Sequence, residues 1–318
     1  MAKVLVTGAG GKLGQVVVHE LALGGHDVLA LYRSKPGEIA GVEWVAGDIL
    51  KPEGFVHHLE ACDAVIHLAA ELSDVRVMDA VNVEATCALL ELSKNCGVRY
   101  FGFASSLVVY GSPAQPQVDE GSAIIDSDQP ILGQYIAEPY MLDYARTKAA
   151  AEKELRRRCD GLALDIYRPT VVRNQSELFE LAGTSWLFRM LIWNRCSQYI
   201  LTEDFAAAVR FLMEKGLKRA PGLEVFNIAD HNAPTYSDIM RMGMGVAGSR
   251  LFGLPGGLPA ALDKLKTMVK YRRPGIGTAL GYLRVSNRKL LREGFVFPTG
   301  VLKALRVEAE RRSHLRSL

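Results

Sequence analysis

Short apolar runs alternate with longer segments in which apolar residues recur every three or four positions. The runs have strand length: Val4-Leu5-Val6 ending at Thr7, then 28–32, 43–46, 64–68, 100–104 and 162–167. The periodic segments have helix length and fall between them, at 13–23, 53–61, 74–94 and 144–158. Strands that alternate with helices predict an α/β fold with a parallel, doubly wound sheet, whose ligands bind beyond the carboxyl ends of the strands. The residues with chemical character fall in those loops: Gly8 to Gly14, Tyr32 and Arg33, Asp48 and Ile49, the stretch from His67 to Ala70, and Ser105 with Ser106.

Beyond about Arg168 the periodicity loosens, and 170–198 mixes polar and apolar residues with no clean period. A helical pattern returns at 204–214, a strand is predicted at 224–228 and a helix at 237–246, and the Gly/Pro cluster at 253–259 reads as a loop. We therefore expect a nucleotide-binding lobe over 1–170 that also receives about 202–230. A smaller C-terminal lobe, made of 171–201 and 231–318, interleaves with it.

The 318 residues suffice for this plan and for a sizeable core. With 49% hydrophobic and 23% charged residues, the chain has an ordinary globular composition. A net charge of +3 gives no reason to expect nucleic acid or an anionic membrane as partner. Arg306, Arg311, Arg312 and Arg316 read as the solvated face of a last helix. Five cysteines lack any C-x-x-C pair, so neither disulfides nor zinc is expected, and no other metal site is apparent. No secretory signal is visible, the segment 186–201 is too charged to span a bilayer, and a cytoplasmic location is the expectation.

Within that frame, Gly8, Gly11 and Gly14 stand at three-residue spacing between a strand and a helix carrying Leu13, Val17 and Leu21 on one face. One glycine permits the tight turn, one lets backbone N–H groups approach a pyrophosphate, and one lets the helix pack against the strand. The start of the helix favours negative charge. The turn, with its strand before and helix after, reads as the nucleotide cradle of an expected Rossmann-type sheet. The next strand ends at Tyr32-Arg33, with Lys35 beyond, where an NAD site usually places an acid to bind the ribose 2′-hydroxyl. A guanidinium suits a 2′-phosphate, so NADP(H) is expected, with NAD(H) as the alternative.

Tyr144 and Lys148 stand four apart on a predicted helix and share a face. A phenol with an ordinary pKa of about 10 is a poor proton donor or acceptor at neutral pH, and a nearby ammonium is expected to lower that value. Upstream, Ser105-Ser106 ends the strand at 100–104 and offers a hydroxyl to the same substrate oxygen.

Together these elements resemble the extended short-chain dehydrogenases/reductases, the group that includes nucleotide-sugar epimerases and related reductases. The resemblance runs from Lys3 to about Pro169. It rests on Thr7-Gly8-x-x-Gly11-x-x-Gly14, Asp48-Ile49, His67-Leu68-Ala69-Ala70, Asn82-Val83, Ser105-Ser106-x-x-Val109-Tyr110-Gly111, Tyr144-x-x-x-Lys148 with Glu152, and Arg168-Pro169. The resemblance implies Ser106 as the catalytic serine, with Ser105 as the alternative, Tyr144 as general acid/base and Lys148 as its partner. It implies that Asp48 and Ile49 approach the adenine and that Ala69 lines the nicotinamide side. Gly8, Gly11, Lys12, Leu13, Gly14, Tyr32, Arg33, Leu68, Ala70 and Asn82 complete the expected cofactor contacts, with Tyr144 and Lys148. Relatives are often dimers through helices at 74–94 and 144–158, so a homodimer is one expected assembly.

Later marks are weaker: Thr202-Glu203-Asp204 resembles the acidic start of a helix, and Val225-Phe226-Asn227-Ile228 a strand returning to the sheet. Departures also carry information. Where relatives often read R-P-x-x-V-Y-G-P, this chain reads Arg168-Pro169-Thr170-Val171-Val172-Arg173-Asn174, which puts the usual nucleotide-sugar pocket in question. Leu107-Val108 stands where the 4,6-dehydratase branch has an Asp-Glu pair, which argues against that elimination chemistry.

The long excursion from Tyr110 to Tyr144, with Pro113, Pro116, Pro130 and Pro139, is either a substrate cover or a surface loop. Arg173, Arg189 and Arg195 with Trp186 and Trp193 either bind a substrate or pack between the lobes. The expectation is an NAD(P)-dependent oxidoreductase acting on a carbonyl or secondary alcohol of a small-molecule substrate. A nucleotide-sugar epimerase is the first alternative and a non-catalytic NAD(P)-sensing regulator the second; intact Tyr144 and Lys148 argue against the regulator.

Overall fold

The computed structural model describes residues 1–111, 117–126, 139–178, 198–244, 261, 265, 269 and 283–317. Seven strands form one sheet: β1 (Lys3–Thr7), β2 (Asp27–Tyr32), β3 (Glu43–Ala46), β4 (Ala64–His67), β5 (Tyr100–Ala104), β7 (Ala163–Pro169) and β10 (Gly222–Ile228). They lie in the order β10-β7-β5-β4-β1-β2-β3, and every pairing is parallel. This is the doubly wound, Rossmann-type sheet the alternation predicts.

Side chains on successive strand positions point to opposite faces, and the two apolar layers show it. Val4, Val6, Val28, Ala30 and Ile66 pack on one face with Val17 and Leu21 of α1 (Lys12–Leu23) and Phe205 and Leu212 of α6 (Thr202–Gly216). Leu5, Leu29, Val65, Phe101, Phe103 and Leu164 pack on the other, with Leu89 of α4 (Ala85–Asn95) and Leu155 of α5 (Pro139–Arg157). Both faces are covered, so a strand run can be apolar throughout.

Two helices differ from their expected form. The segment 53–61 is a 3-10 turn over Pro52–Phe55 followed by a single turn, α2 (Val56–Leu59). The segment 74–94 is α3 (Val75–Asp79), then a π-helical turn over Ala80–Glu84, then α4. The wide turn brings Asn82 to a fully buried position where its side chain is bonded at both ends.

The remaining described elements lie outside the seven-stranded sheet. The short β6 (Gln117–Val118) pairs with β11 (Arg284–Val285), and β8 (Val171–Arg173) pairs with β9 (Tyr199–Leu201). α7 (Tyr236–Met244), α8 (Arg288–Arg292) and α9 (Val301–Ser317) complete the described chain. The start of α9 is held by two buried carboxylates. Asp204 accepts from the N–H groups of Thr299 at 2.9 Å and Gly300 at 2.8 Å, and Asp230 accepts from Val301 at 2.6 Å. Arg306 and Arg311 of α9 are exposed, and Arg311 pairs with Glu308. Among the described residues, no helix is long and apolar enough to cross a membrane.

Candidate functional site

All seven strands run in the same direction, so their carboxyl ends share one edge, and the winding reverses there between β1 and β4. A crevice opens beyond the strands at such a reversal. Its floor is the glycine turn. Gly8 has φ of +68°, and a Cβ there would lie 2.7 Å from the Ala69 nitrogen, so the turn is pressed against the loop after β4. A Cβ on Gly14 would lie 2.1 Å from the Gly8 carbonyl oxygen, which only glycine allows. Gly11 caps α1 without a side-chain bond, and the first turn carries no acid. The amides of that turn, at Lys12 and Leu13, are therefore left without side-chain caps at the positive end of the helix. These features fit a dinucleotide pyrophosphate.

The loop Leu68-Ala69-Ala70 after β4 is half-buried beside this turn and is fixed by a buried chain of polar groups. The Thr86 hydroxyl donates to the Asn82 carbonyl at 2.9 Å, so it accepts from His67 Nε2–H, also at 2.9 Å. That assigns the His67 tautomer and makes Nδ1 the acceptor of the Thr7 hydroxyl at 2.7 Å. Thr7 Oγ1 in turn accepts from Ala69 N–H at 3.3 Å. Burial, with a lesser effect of the Lys148 charge, holds the His67 imidazole down to about 3. Asn82 Oδ1 accepts from Glu71 N–H at 2.8 Å, and its Nδ2 donates to the Glu71 carbonyl at 2.9 Å and to Thr147 Oγ1 at 3.1 Å. Thr147 donates to the carbonyl of Tyr144 at 3.0 Å. The cradle, the loop after β4 and the Tyr144 turn of α5 thus share one hydrogen-bonded support.

The two serines after β5 are sorted by the fold. Ser105 is buried and donates to Glu152 Oε1 at 2.6 Å, whereas Ser106 is half-exposed and its hydroxyl accepts from Val108 N–H at 3.4 Å. Glu152, one turn beyond Lys148 on α5, is fully buried and paired with Arg168 of β7 through bonds of 2.5 and 2.9 Å. Arg168 also donates to the Tyr110 hydroxyl at 2.9 Å, and Tyr110 donates to Asn227 of β10 at 2.6 Å.

Lys148 is buried, donates to the Ala104 carbonyl at 2.7 Å and lies over the Phe103 ring at 4.5 Å. Burial pulls its ammonium down to about 7, against the Glu152 charge, which raises it. Its Nζ is 6.0 Å from the centre of the half-buried Tyr144 ring. The expected lowering of the phenol does not occur in this arrangement. Burial pushes Tyr144 up to about 12, and the Lys148 ammonium is bonded to the strand-end carbonyl of Ala104.

On the other side of the reversal, Tyr32 ends β2 with its ring 6.4 Å from that of Trp44, and Arg33 just beyond it is exposed. Asp48 and Ile49 follow β3 and are half-buried; Asp48 Oδ1 accepts from Leu50 N–H at 3.0 Å. Lys12, at the start of α1, forms an ion pair with Glu177 in the turn after β8. Glu177 Oε2 accepts from Asn174 N–H at 3.0 Å while Asn174 Oδ1 accepts from Glu177 N–H at 3.0 Å, a reciprocal capping box. The sequence reading did not single out Glu177, although the Asn174-x-x-Glu177 spacing is its signal. Thr86 and Thr147 went unremarked too, since nothing local marks a threonine as buried. Pro113, Pro116, Pro130, Trp186, Arg189, Trp193, Arg195 and the loop 253–259 lie outside the described residues.

Comparison with known proteins identifies the family and the fold. Residues 4–170 match the model of the NAD dependent epimerase/dehydratase family. The chain is 31% identical over 176 residues to the 2-alkyl-3-oxoalkanoate reductase of Stenotrophomonas maltophilia, an alignment covering 54% of this chain and 51% of that protein. The chain thus spans about half the length of that curated relative. A short-chain dehydrogenase/reductase superfamily protein from Agrobacterium tumefaciens, solved with bound NAD, superposes with a TM-score of 0.71 at 21% identity, over 99% of this chain and 98% of that one. Vestitone reductase from alfalfa superposes with a TM-score of 0.69 at 16% identity, over 100% of this chain and 99% of that one. At these identities the superpositions speak for the fold.

Proposed function

This chain belongs to the NAD dependent epimerase/dehydratase family, and on that premise we propose that it is an NAD(P)-dependent oxidoreductase acting on a carbonyl or secondary alcohol of a small molecule. The observation that carries the reading is the junction of β5 with α5. There the buried Lys148 is bonded to Ala104, two residues before Ser106, and stands one helical turn from Tyr144. When bound, the nicotinamide dinucleotide supplies or accepts the hydride.

The chain's own residues handle binding and the proton. The glycine turn and the uncapped amides of α1 receive the pyrophosphate, and Asn82 and Thr147 hold the α5 turn over the loop at Ala69. Ser106 donates a hydrogen bond to the substrate oxygen and Tyr144 transfers its phenolic proton to it. A phenol at about 12 keeps its proton at neutral pH, which suits donation and so the reducing direction. Lys148, at about 7, holds or releases a proton at Nζ near neutrality and can reprotonate the phenol. Arg33, exposed at the end of β2 where no acid stands, supports a 2′-phosphate and hence NADP(H).

Purified protein is tested by following NADPH and NADH at the nicotinamide band against a panel of carbonyl compounds. By its name, the Stenotrophomonas relative acts on 2-alkyl-3-oxoalkanoates, so 3-oxo acids head the panel. Net oxidation of NADPH by any member, lost in Tyr144→Phe, supports the reading. A dinucleotide that stays bound through purification, with a nucleotide sugar epimerised and no net absorbance change, replaces it with an epimerase. Binding without either reaction leaves a nucleotide sensor.

A further inference from the structure

We propose that Lys12 is a phosphate-holding residue of the glycine turn and that Glu177 competes with the dinucleotide for its ammonium. The proposal rests on the dinucleotide reading above. Lys12 is the first residue of α1, the turn whose amides lack side-chain caps, so its backbone and its ammonium belong to the same positive end. Its side chain is 56% exposed and is paired with Glu177, whose side chain is only 19% exposed.

The two partners are not equally free to move. Glu177 is anchored by its capping box with Asn174, in the turn directly after β8, which leaves Oε1 to meet the lysine. Bonds from Lys12 and from the Asn174 amide hold its carboxyl below the usual range, so it is charged at neutral pH. The lysine is the flexible partner, on a four-carbon stem. An exposed ion pair of this kind is weak. A pyrophosphate on the α1 amides carries more negative charge, so an ammonium rooted in the same turn exchanges the carboxylate for it. Glu177 is anchored by Asn174 and does not follow, so its ion pair with Lys12 is broken when the phosphates bind. Nucleotide binding is therefore set against a resident ion pair, which favours exchange of the cofactor over its retention. The pyrophosphate is common to both dinucleotides, so the effect is the same for NADPH and NADH, unlike that of Arg33.

The test is equilibrium titration of the full chain with NADPH and with NADH, for wild type, Glu177→Gln, Lys12→Met and the double variant, each checked for folding by circular dichroism. Glu177→Gln is expected to bind both dinucleotides about three- to fivefold more tightly, the scale of one exposed ion pair. Lys12→Met is expected to bind both more weakly, and the double variant to match Lys12→Met, since the gain needs the ammonium. Weaker or unchanged binding in Glu177→Gln overturns the proposal, and so does a gain that persists without Lys12. If wild type binds neither dinucleotide, the dinucleotide reading fails, and the proposal falls with it.

Discussion

Ser105 and Ser106 are adjacent in the chain and face different surroundings: Ser105 Oγ donates to the buried Glu152 carboxylate at 2.6 Å, while Ser106 is half-exposed at the sheet edge. Successive residues of an extended chain point to opposite sides, so only one of the pair can serve the crevice. Ser105→Ala removes one bond to a buried charge and is expected to cost about 1–3 kcal/mol of stability, with kcat little changed. Ser106→Ala is expected to lower kcat about 100-fold with an unchanged melting temperature. Thermal melts and steady-state kinetics on the two variants separate the roles, and a reversed pattern would move the catalytic hydroxyl to Ser105.

Tyr144→Phe is expected to lower kcat by about 100- to 10,000-fold while NADPH binding persists. The pH profile should carry a second mark. Reductive turnover is expected to fall as pH rises through about 7, where Lys148 gives up its proton, although the phenol itself stays protonated to about 12. A kcat/KM profile that is flat from pH 6 to 9 argues against a proton held at Lys148.

His67 makes a prediction about acid stability. Its native value of about 3 lies below the 6.5 of the unfolded chain, so between these values the unfolded state binds a proton that the native state excludes. Stability is therefore lost as pH falls from 6.5 towards 3, at up to about 1.4 kcal/mol per pH unit from this residue alone. Urea unfolding at pH 7, 6, 5 and 4 should show this acid limb in wild type. His67→Gln is expected to be less stable at pH 7, having lost bonds to Thr7 and Thr86, yet to have a shallower limb. Identical slopes would count against the assigned neutral imidazole.

Arg33→Ala is expected to weaken NADPH binding about tenfold, with a smaller change for NADH, because a charge-assisted bond to the 2′-phosphate is lost. Dissociation constants for both dinucleotides decide it. Equal losses would remove the preference for NADP(H).

Much of the sheet was legible in the sequence because its signals are local. Val4-Leu5-Val6 and Gly8 to Gly14 carry strand, turn and helix start within a dozen residues, and the strand ending at Ile228 stood out from its surroundings. The π-helical turn at Asn82 was not legible, since it depends on bonds to Glu71 and Thr147, the latter 65 positions away. The Lys12–Glu177 pair joins residues 165 apart for the same reason. The sign of the Tyr144 shift was not legible because helical spacing places Lys148 nearby but says nothing of how deeply the fold buries the phenol, nor of the Ala104 carbonyl to which the ammonium is bonded. That Ser105 is bonded to Glu152, 47 positions on and on another element, was likewise not legible.

The carboxylates of Asp204 and Asp230 bear on how the protein is made. Burial and the charge of Asp230 raise the pKa of Asp204, and three backbone amides at 299–301 supply the bonds that let both acids stay inside. A nascent chain that has emerged from the ribosome only as far as Asp230 holds both acids but not the three amides that donate to them. The bonds that close this end of the domain therefore wait for the arrival of residues 299–301, and a chain truncated before them would leave Asp204 and Asp230 without those three donors.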